Sequence, residues 1–499
     1  MEIREVAVVG LGIMGAGIAE IFARTGLRVA AIEVDPGALE HGMATLDRSL
    51  GRAVARGKLT EQEKAAVLAR VRPAQQLSDA ATADLVVEVV PERMDIKRLV
   101  FGELDQVCRP EAILATNTSS ISITAIAGGT RHPERVAGLH FFNPAQVMRL
   151  VEVITTVRTA PAVSEALTEL VRRLGKTPVQ VADRAGFVVN ALLVPYLNHA
   201  VRLLETGYAT REDIDAAATV GIGLPMGPLT LLDLVGLDTV LSVLDVLYGE
   251  FAGPRFAGAP TLRRMVDAGL TGRKAGRGFY DYEKKEPAQQ PGPDTIHNDD
   301  HAAEPGPVTL VGGGAGPGTR LAELIEAAGW LVAAGPRGDG LVIVHAEEPS
   351  TEVLGAALAT GRPADAVGLH LAGDKLAELI VTPMSAPGAV EAAAALVGTL
   401  GLTVVRCKDR PGFLAGALLC AHLNDAVRMV QDGYASAAGI DTAMMLGCGY
   451  PVGPLQLIDQ VGPGYVLTVL TEMYRRYGDP AFAPAPLLAE HAAAGLSFR

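Results

Sequence analysis

The amino-acid sequence predicts an α/β, Rossmann-like doubly wound domain followed by an all-α domain, and then a degenerate duplicate of both. Three observations predict it. Up to residue 183, short apolar runs alternate with helical patterns. Beyond it, the periodicity is helical. The chain then resembles itself at an offset of 226 residues.

The elements follow in order. Residues 6–9 are an apolar strand that stops at Gly10, and residues 16–25 form a helix with Ile18, Ile21 and Phe22 on one face. The next strand is 29–32. Residues 37–71 read as two polar helices carrying Arg48, Arg52, Arg56 and Lys58. Strands follow at 85–90, 112–116 and 136–140. Strand and helix in alternation favour a parallel sheet. Residues 190–204 form one apolar-rich helix, and Gly227-Pro228-Leu229 breaks the chain before 231–234. The helical part ends near Phe279-Tyr280-Asp281-Tyr282. Residues 283–306 are rich in Pro and charge and read as an exposed linker.

Residues 197–236, LNHAVRLLETGYATREDIDAAATVGIGLPMGPLTLLDLVG, align without a gap with 423–462, LNDAVRMVQDGYASAAGIDTAMMLGCGYPVGPLQLIDQVG. Arg184-Ala185-Gly186-Phe187 pairs with Arg410-Pro411-Gly412-Phe413, and Gly138-Leu139-His140 with Gly368-Leu369-His370. Forty ungapped positions mean a duplicated module. The predicted division is therefore 1–183 (Rossmann, dinucleotide-binding), 184–282 (helical), 283–306 (linker), 307–409 (degenerate Rossmann-like) and 410–499 (second helical).

Composition excludes several classes. The 499 residues carry a net charge of −13 without a Lys/Arg cluster, and aromatics are 4% with Trp330 the sole tryptophan. Neither a phosphate-tracking surface nor base-stacking platforms are expected, so no nucleic-acid partner is. Cys108, Cys407, Cys420 and Cys448 show no CxxC spacing, so no metal site is expected, and a reducing, cytoplasmic setting is. The start, Met1-Glu2-Ile3-Arg4-Glu5, lacks a signal peptide's pattern, and no uncharged apolar run is long enough for a bilayer.

Gly10-Leu11-Gly12-Ile13-Met14-Gly15 matches GxGxxG between a strand and a helix, the context that a dinucleotide fingerprint requires. Gly10 allows the tight turn, Gly12 lets backbone approach a pyrophosphate, and Gly15 lets helix pack on strand. The helix N-terminus supplies N–H groups and partial positive charge. Glu33 closes the second strand, eighteen residues past Gly15. A carboxylate there accepts from a ribose and repels a 2′-phosphate, which favours NAD over NADP. FAD is compatible with this motif alone.

A histidine can take a proton near neutral pH, and a carboxylate on its other ring nitrogen fixes the tautomer. His140 follows a strand, and Glu152 lies in the apolar run MRLVEVI, where an acid needs a partner. From physics alone, a structural ion pair explains the two equally well.

The motifs GLGIMGAGIAE, TNTSS (116–120), GLHFFNPAQVMRLVEV (138–153), GFVVN (186–190) and GRKAGRGFYDY (272–282) occur in one order across residues 1–282. Together they resemble the 3-hydroxyacyl-CoA dehydrogenase family. The duplicated length is similar to its bacterial two-module members, the 3-hydroxybutyryl-CoA and 3-hydroxyadipyl-CoA dehydrogenases. The resemblance implies NAD-dependent oxidation of an (S)-3-hydroxyacyl-CoA to the 3-oxoacyl-CoA. His140 is then the general base and Glu152 its orienting acid. Ser119 and Asn190 hold the substrate oxygen. Asn143, Glu92, Lys97 and Lys274 contact the cofactor with Gly10, Gly12, Ile13, Met14, Gly15 and Glu33. Ser49 and Arg56 meet the CoA. Without the resemblance, Ser119 is a turn serine, Asn190 a helix cap, and Glu92, Lys97 and Lys274 ordinary surface charges.

The second module lacks most of this. Gly312-Gly313-Gly314-Ala315-Gly316-Pro317 is a damaged fingerprint, Pro336 stands where Glu33 stood, and the counterpart of 37–110 is largely missing. His370 and Glu378 persist, but Pro349 pairs with Ser119 and Gly416 with Asn190. Residues 307–499 thus read as a non-catalytic copy. In the family the helical domains pair as dimers, so homo-oligomers or internal pairing of the two helical domains is expected. Two other readings compete: a dehydrogenase of a free hydroxy acid, and a non-catalytic CoA-ester-binding or scaffolding protein.

Overall fold

The computed structural model describes residues 2–283, 306–312, 319–333, 340–348 and 350–499. The expectations for Gly313 to Pro317, Pro336 and Pro349, and for nearly all of the 283–306 linker, lie outside the described residues.

The first module opens with β1 (Glu5–Val9), α1 (Ile13–Arg24), β2 (Arg28–Ile32), α2 (Pro36–Ala55), α3 (Glu61–Leu68) and β3 (Val71–Ala74). It continues with β4 (Leu85–Glu88), α4 (Met94–Val107), β5 (Ile113–Thr116), α5 (Ile123–Ala127), β6 (Val136–Phe141), β7 (Leu150–Thr155), α6 (Pro161–Arg173) and β8 (Thr177–Ala182). The eight strands form one sheet in the order β3-β2-β1-β4-β5-β6-β7-β8. All pairs are parallel except β6 with β7. The strands predicted at 6–9, 29–32, 112–116 and 136–140 are present, and the one at 85–90 ends at Glu88. The polar pair at 37–71 is α2 and α3. Two strands escape the sequence pattern, β3 and β8, since VRPA and TPVQVA lack a continuous apolar run. α3 starts at a capping box in which Thr60 and Glu63 satisfy each other's backbone N–H groups.

Helices follow as α7 (Val189–Glu205), α8 (Arg211–Ala216), α9 (Pro228–Val235), α10 (Leu237–Phe251) and α11 (Pro260–Asp267). α8 runs on into a π-helical turn at Ala217–Gly221. The signature at 272–282 is a clasp around buried Asp233, which accepts from the Phe279 and Tyr280 N–H groups and the Tyr282 hydroxyl.

The second module comprises β9 (Pro307–Gly312), α12 (Arg320–Ala327), β10 (Leu331–Ala333), β11 (Leu341–His345), α13 (Val353–Ala359), β12 (Ala366–Ala372), β13 (Leu376–Val381), α14 (Pro387–Thr399) and β14 (Thr403–Lys408). α15 (Ala415–Gln431), α16 (Ala437–Cys448), α17 (Pro454–Val461), α18 (Pro463–Tyr477) and α19 (Pro486–Ala494) complete it. Its sheet has six strands, β10-β9-β11-β12-β13-β14. β9 pairs directly with β11. Asp409 accepts from the first N–H groups of α13 as Asp183 does from those of α5, which matches β11 to β5. The two strands and the helices between β2 and β5 therefore have no counterpart among the described residues of this module.

The chain divides into two compact units. The first is Met1–Ala191 with Met429–Gly449, and the second is Leu192–Arg428 with Tyr450–Arg499. In the first unit, α16 packs on β7 and β8. The Ala182 N–H donates to Tyr434 O at 2.8 Å, and the Arg184 guanidinium lies 5.7 Å from the Tyr434 ring centre. In the second unit, α8 packs on β14 and its π turn on β13. There the Lys408 N–H donates to Tyr208 O at 3.2 Å, and Arg410 lies 5.2 Å from the Tyr208 ring. These contacts are equivalent at the 226-residue offset, so each sheet carries a helix from the other module. Also in the second unit, α7 meets α15, with the Tyr196 and His422 rings 5.1 Å apart and Arg255 ion-paired to Asp425.

Candidate active site

β1 ends at Gly10, whose φ of +96° no ordinary side chain adopts comfortably, and a Cβ there would meet Val89 O at 2.7 Å. A Cβ on Gly15 would stand 1.8 Å from Gly10 O, so helix and loop touch only because residue 15 is glycine. A Cβ on Gly12 meets nothing within 4 Å, which leaves the backbone open to a ligand. Gly12 caps α1 without a side-chain hydrogen bond, and the first turn holds no acid. The N–H groups at this end and the helix dipole thus face outward, with Ile13 76% exposed and Met14 half-buried beside them. Glu33 turns back onto this loop and accepts from the Leu11 N–H at 3.1 Å. Open backbone donors with an acid at the end of β2 fit a dinucleotide without a 2′-phosphate.

The antiparallel register of β6 and β7 sets His140 opposite Glu152. Cross-strand neighbours on one face lie within side-chain reach, and here His140 Nδ1 is 2.7 Å from Glu152 Oε2. His140 is 6% exposed and Glu152 0%. The other carboxylate oxygen, Oε1, accepts from the Val188 and Val189 N–H groups at 3.1 and 3.2 Å. Glu152 thereby caps α7, whose second residue is Asn190. The chain can turn into this cap because Phe187 takes a left-handed φ of +50°. The Phe187 and Phe142 rings flank His140, with centroids at 5.6 and 4.5 Å.

The loop after β5 carries Ser119. Its backbone N–H, with the Ser120 N–H and hydroxyl and the Thr118 hydroxyl, donates to Glu92. Burial alone would raise the Glu92 carboxyl. The Lys97 ammonium and these donors outweigh it and hold the group below the ordinary carboxylate value. Asn117 Oδ1 accepts from the Phe141 N–H at 2.8 Å, which ties this loop to the His140 strand. The Ser119 hydroxyl and the Asn190 amide make no hydrogen bond with the described residues.

Lys97 departs from expectation. It is 1% exposed, not a surface charge, and its ammonium donates to both oxygens of fully buried Glu88 at 2.8 and 3.1 Å and to Val90 O. Its remaining contact is Glu92 at 3.4 Å. Lys97 thus joins buried Glu88 to Glu92. Glu88, which also accepts from the Thr116 hydroxyl at 2.7 Å, is missed by the sequence because it ends an apolar strand like any boundary acid. Asn143 is exposed on the loop after β6. Gln146 on that loop donates to Ser49 Oγ and to buried Glu20. Arg56 is exposed at the C-terminal cap of α2, outside this network. Lys274 lies in the second compact unit, ion-paired with Asp238.

Residues 5–184 match the NAD binding domain of 3-hydroxyacyl-CoA dehydrogenase. Residues 186–282 and again 412–497 match that family's C-terminal domain. The chain belongs to the 3-hydroxyacyl-CoA dehydrogenase family. Among relatives of this family, it is 36% identical to the 3-hydroxyadipyl-CoA dehydrogenase of Escherichia coli, across 99% of this chain and 98% of the relative. It is 47% identical to a 3-hydroxybutyryl-CoA dehydrogenase of Mycobacterium tuberculosis, over 56% of this chain and 99% of the relative. A crystal structure described as 3-hydroxybutyryl-CoA dehydrogenase from Escherichia coli K12 superposes with a TM-score of 0.84 at 34% identity, covering 99% of both chains. The chain is therefore an NAD-dependent dehydrogenase of 3-hydroxyacyl-CoA type, and its C-terminal family domain occurs twice. No helix among the described residues is long and apolar enough to cross a membrane.

Proposed function

We propose that this 3-hydroxyacyl-CoA dehydrogenase oxidises the (S)-3-hydroxyl of a short acyl-CoA, 3-hydroxybutyryl or 3-hydroxyadipyl, using one site in its first module. The observation that carries this reading is the buried His140–Glu152 pair. With the Nδ1–H given to the carboxylate, Nε2 presents a lone pair and can take the hydroxyl proton. The imidazolium so formed is stabilised by the carboxylate at 2.7 Å. Bound NAD supplies the acceptor for the hydride that leaves C3. The Ser119 hydroxyl and Asn190 amide, both without hydrogen-bond partners among the described residues, are the groups assigned to the substrate's reacting oxygen. Glu92 and Asn143 are assigned to the nicotinamide side, and Lys97 positions Glu92. Gly10, Gly12, Ile13, Met14, Gly15 and Glu33 are assigned to the rest of the dinucleotide, and Ser49 and Arg56 to the CoA. A cytoplasmic setting belongs to the same reading, supported by four free thiols.

The test is NADH formation across a panel of 3-hydroxyacyl-CoA esters, including 3-hydroxyadipyl-CoA, beside the free hydroxy acids. The esters are expected to react and the free acids not. A His140→Gln variant is expected to lose about 10²–10⁴-fold in turnover. Full turnover by that variant overturns the mechanism.

A further inference from the structure

The second module supplies α16 to the first compact unit, and that helix ends against residues on either side of Glu152 in the fold, on β7 and at the start of α7. A Cβ on Gly447 would lie 3.0 Å from Val189 Cγ2 and 3.1 Å from Leu150 Cδ2. Val189 gives its N–H to Glu152, and Leu150 precedes Glu152 by two residues on β7. The next residue, Cys448, is half-buried, and burial followed by the Glu152 charge pushes its thiol up to about 12. The end of α16 therefore backs both elements that Glu152 joins, the strand that carries it and the helix that it caps.

The duplicate offers an internal control. Gly221, at the equivalent position, packs its backbone on Leu376 and Ala415, the counterparts of Leu150 and Val189. There the contact braces Glu378, and in the aligned sequence Pro349 and Gly416 stand where the first module has Ser119 and Asn190.

We infer that α16 is a positioning element of the catalytic site: Gly447 sets the distance between helix and strand that keeps Glu152 aligned on His140. On this view the second module is required for turnover in the first, although it performs no chemistry. The inference rests on the assignment of proton transfer to His140 and Glu152. A misplacement of well under 1 Å at an orienting group lowers turnover and leaves cofactor binding intact. A side chain added at Gly447 presses on both elements, because at 3.0 and 3.1 Å the Val189 and Leu150 methyl groups must give by a few tenths of an ångström.

The experiment compares full-length Gly447→Ala, Gly447→Val, Gly221→Val and the parent. kcat is measured by NADH formation and NAD affinity by calorimetry, the latter reporting an intact first domain. Gly447→Val is expected to lower kcat about tenfold or more and Gly447→Ala about threefold, with NAD affinity within twofold. Gly221→Val is expected to keep kcat within twofold. If Gly447→Val does not bind NAD, Gly447→Ala decides. Parental kcat in the deciding variant, or an equal loss in Gly221→Val, overturns the inference. A dead His140→Gln beside an active Gly447 variant refutes only the role of α16. An active His140→Gln refutes the proton-transfer assignment on which it stands.

Discussion

Replacing Glu152 by Gln keeps the shape of the side chain and removes its charge. Two placements of the amide are open. If its oxygen stays on the Val188 and Val189 N–H groups, its NH2 faces His140 Nδ1. The imidazole then moves its proton to Nε2, and the atom meant to accept the substrate proton already holds one. In the reverse placement the NH2 confronts two buried donors, leaving both unpaired at about 1–3 kcal/mol each. The first placement is cheaper, so the base is lost. General-base catalysis contributes about 10²–10⁴-fold, or roughly 3–5 kcal/mol of barrier. A wrong tautomer forfeits most of that, so kcat should fall about 10³–10⁴-fold. The Kd for NAD should not change, because Gly12 and Glu33 belong to a different loop. Steady-state NADH absorbance and a direct NAD titration measure the two. A Glu152→Gln enzyme with kcat within threefold of the parent would refute the argument that this carboxylate sets the tautomer.

The matched change Glu378→Gln in the second module should leave kcat within twofold and lower the melting temperature, because Glu378 holds His370 at 2.6 Å and the Leu414 and Ala415 N–H groups; a calorimetric scan beside the assay checks both. Gly12→Val should fold, since a Cβ there meets nothing within 4 Å, yet weaken NAD about a hundredfold by filling the approach to the backbone; titration of the folded variant checks it. At Asp105, burial opposes ionisation, but the Arg135 guanidinium and the Arg131 N–H outweigh it and depress the carboxyl to about 2. A depressed carboxylate contributes stability that is present above its unfolded value of 3.8 and lost as pH falls towards 2. Asp105→Asn should therefore be less stable by about 2 kcal/mol at neutral pH, with a smaller difference near pH 2, measured by denaturant titration at both.

Legibility in the sequence followed the range of the physics involved. The glycine loop was legible because its requirements are local: a positive φ at Gly10, contact at Gly15, an open face at Gly12. His140 and Glu152 were legible as a pair because an acid inside an apolar strand must have a partner. Their register was not, since antiparallel pairing of β6 and β7 is a property of the sheet. The burial of Lys97 was not legible because its partner Glu88 lies across a helix–strand packing that the pattern does not encode, and a lysine in a polar helix looks solvated. β3 and β8 were missed because each borrows its stability from neighbouring strands rather than from an apolar run of its own. The exchange of α8 and α16 between the modules was also illegible, since both sequences are compatible with packing on either sheet.

The survival of His370 and Glu378 in a module without the rest of the site has a structural cause. In both modules the glutamate takes one strand histidine and the first two free N–H groups at a helix start, of α7 in one case and α15 in the other. Both helix starts are reached through a phenylalanine at left-handed φ, Phe187 at +50° and Phe413 at +47°. Removing the carboxylate would strand two buried donors beside an already strained residue, a penalty that applies whether or not a substrate binds. Ser119 and Asn190 have no such second duty, as neither side chain bonds to the described residues, and at their counterparts stand Pro349 and Gly416. What the duplicate kept is thus the part of the proposed active site that is also a helix cap. The same cap explains why the exchanged helices end where they do: Gly447 and Gly221 close on the residues that these carboxylates hold. Each helical segment thereby braces the sheet of the other module, and at the aligned positions the first module has Ser119 and Asn190, the groups proposed to act on substrate, where the second has Pro349 and Gly416.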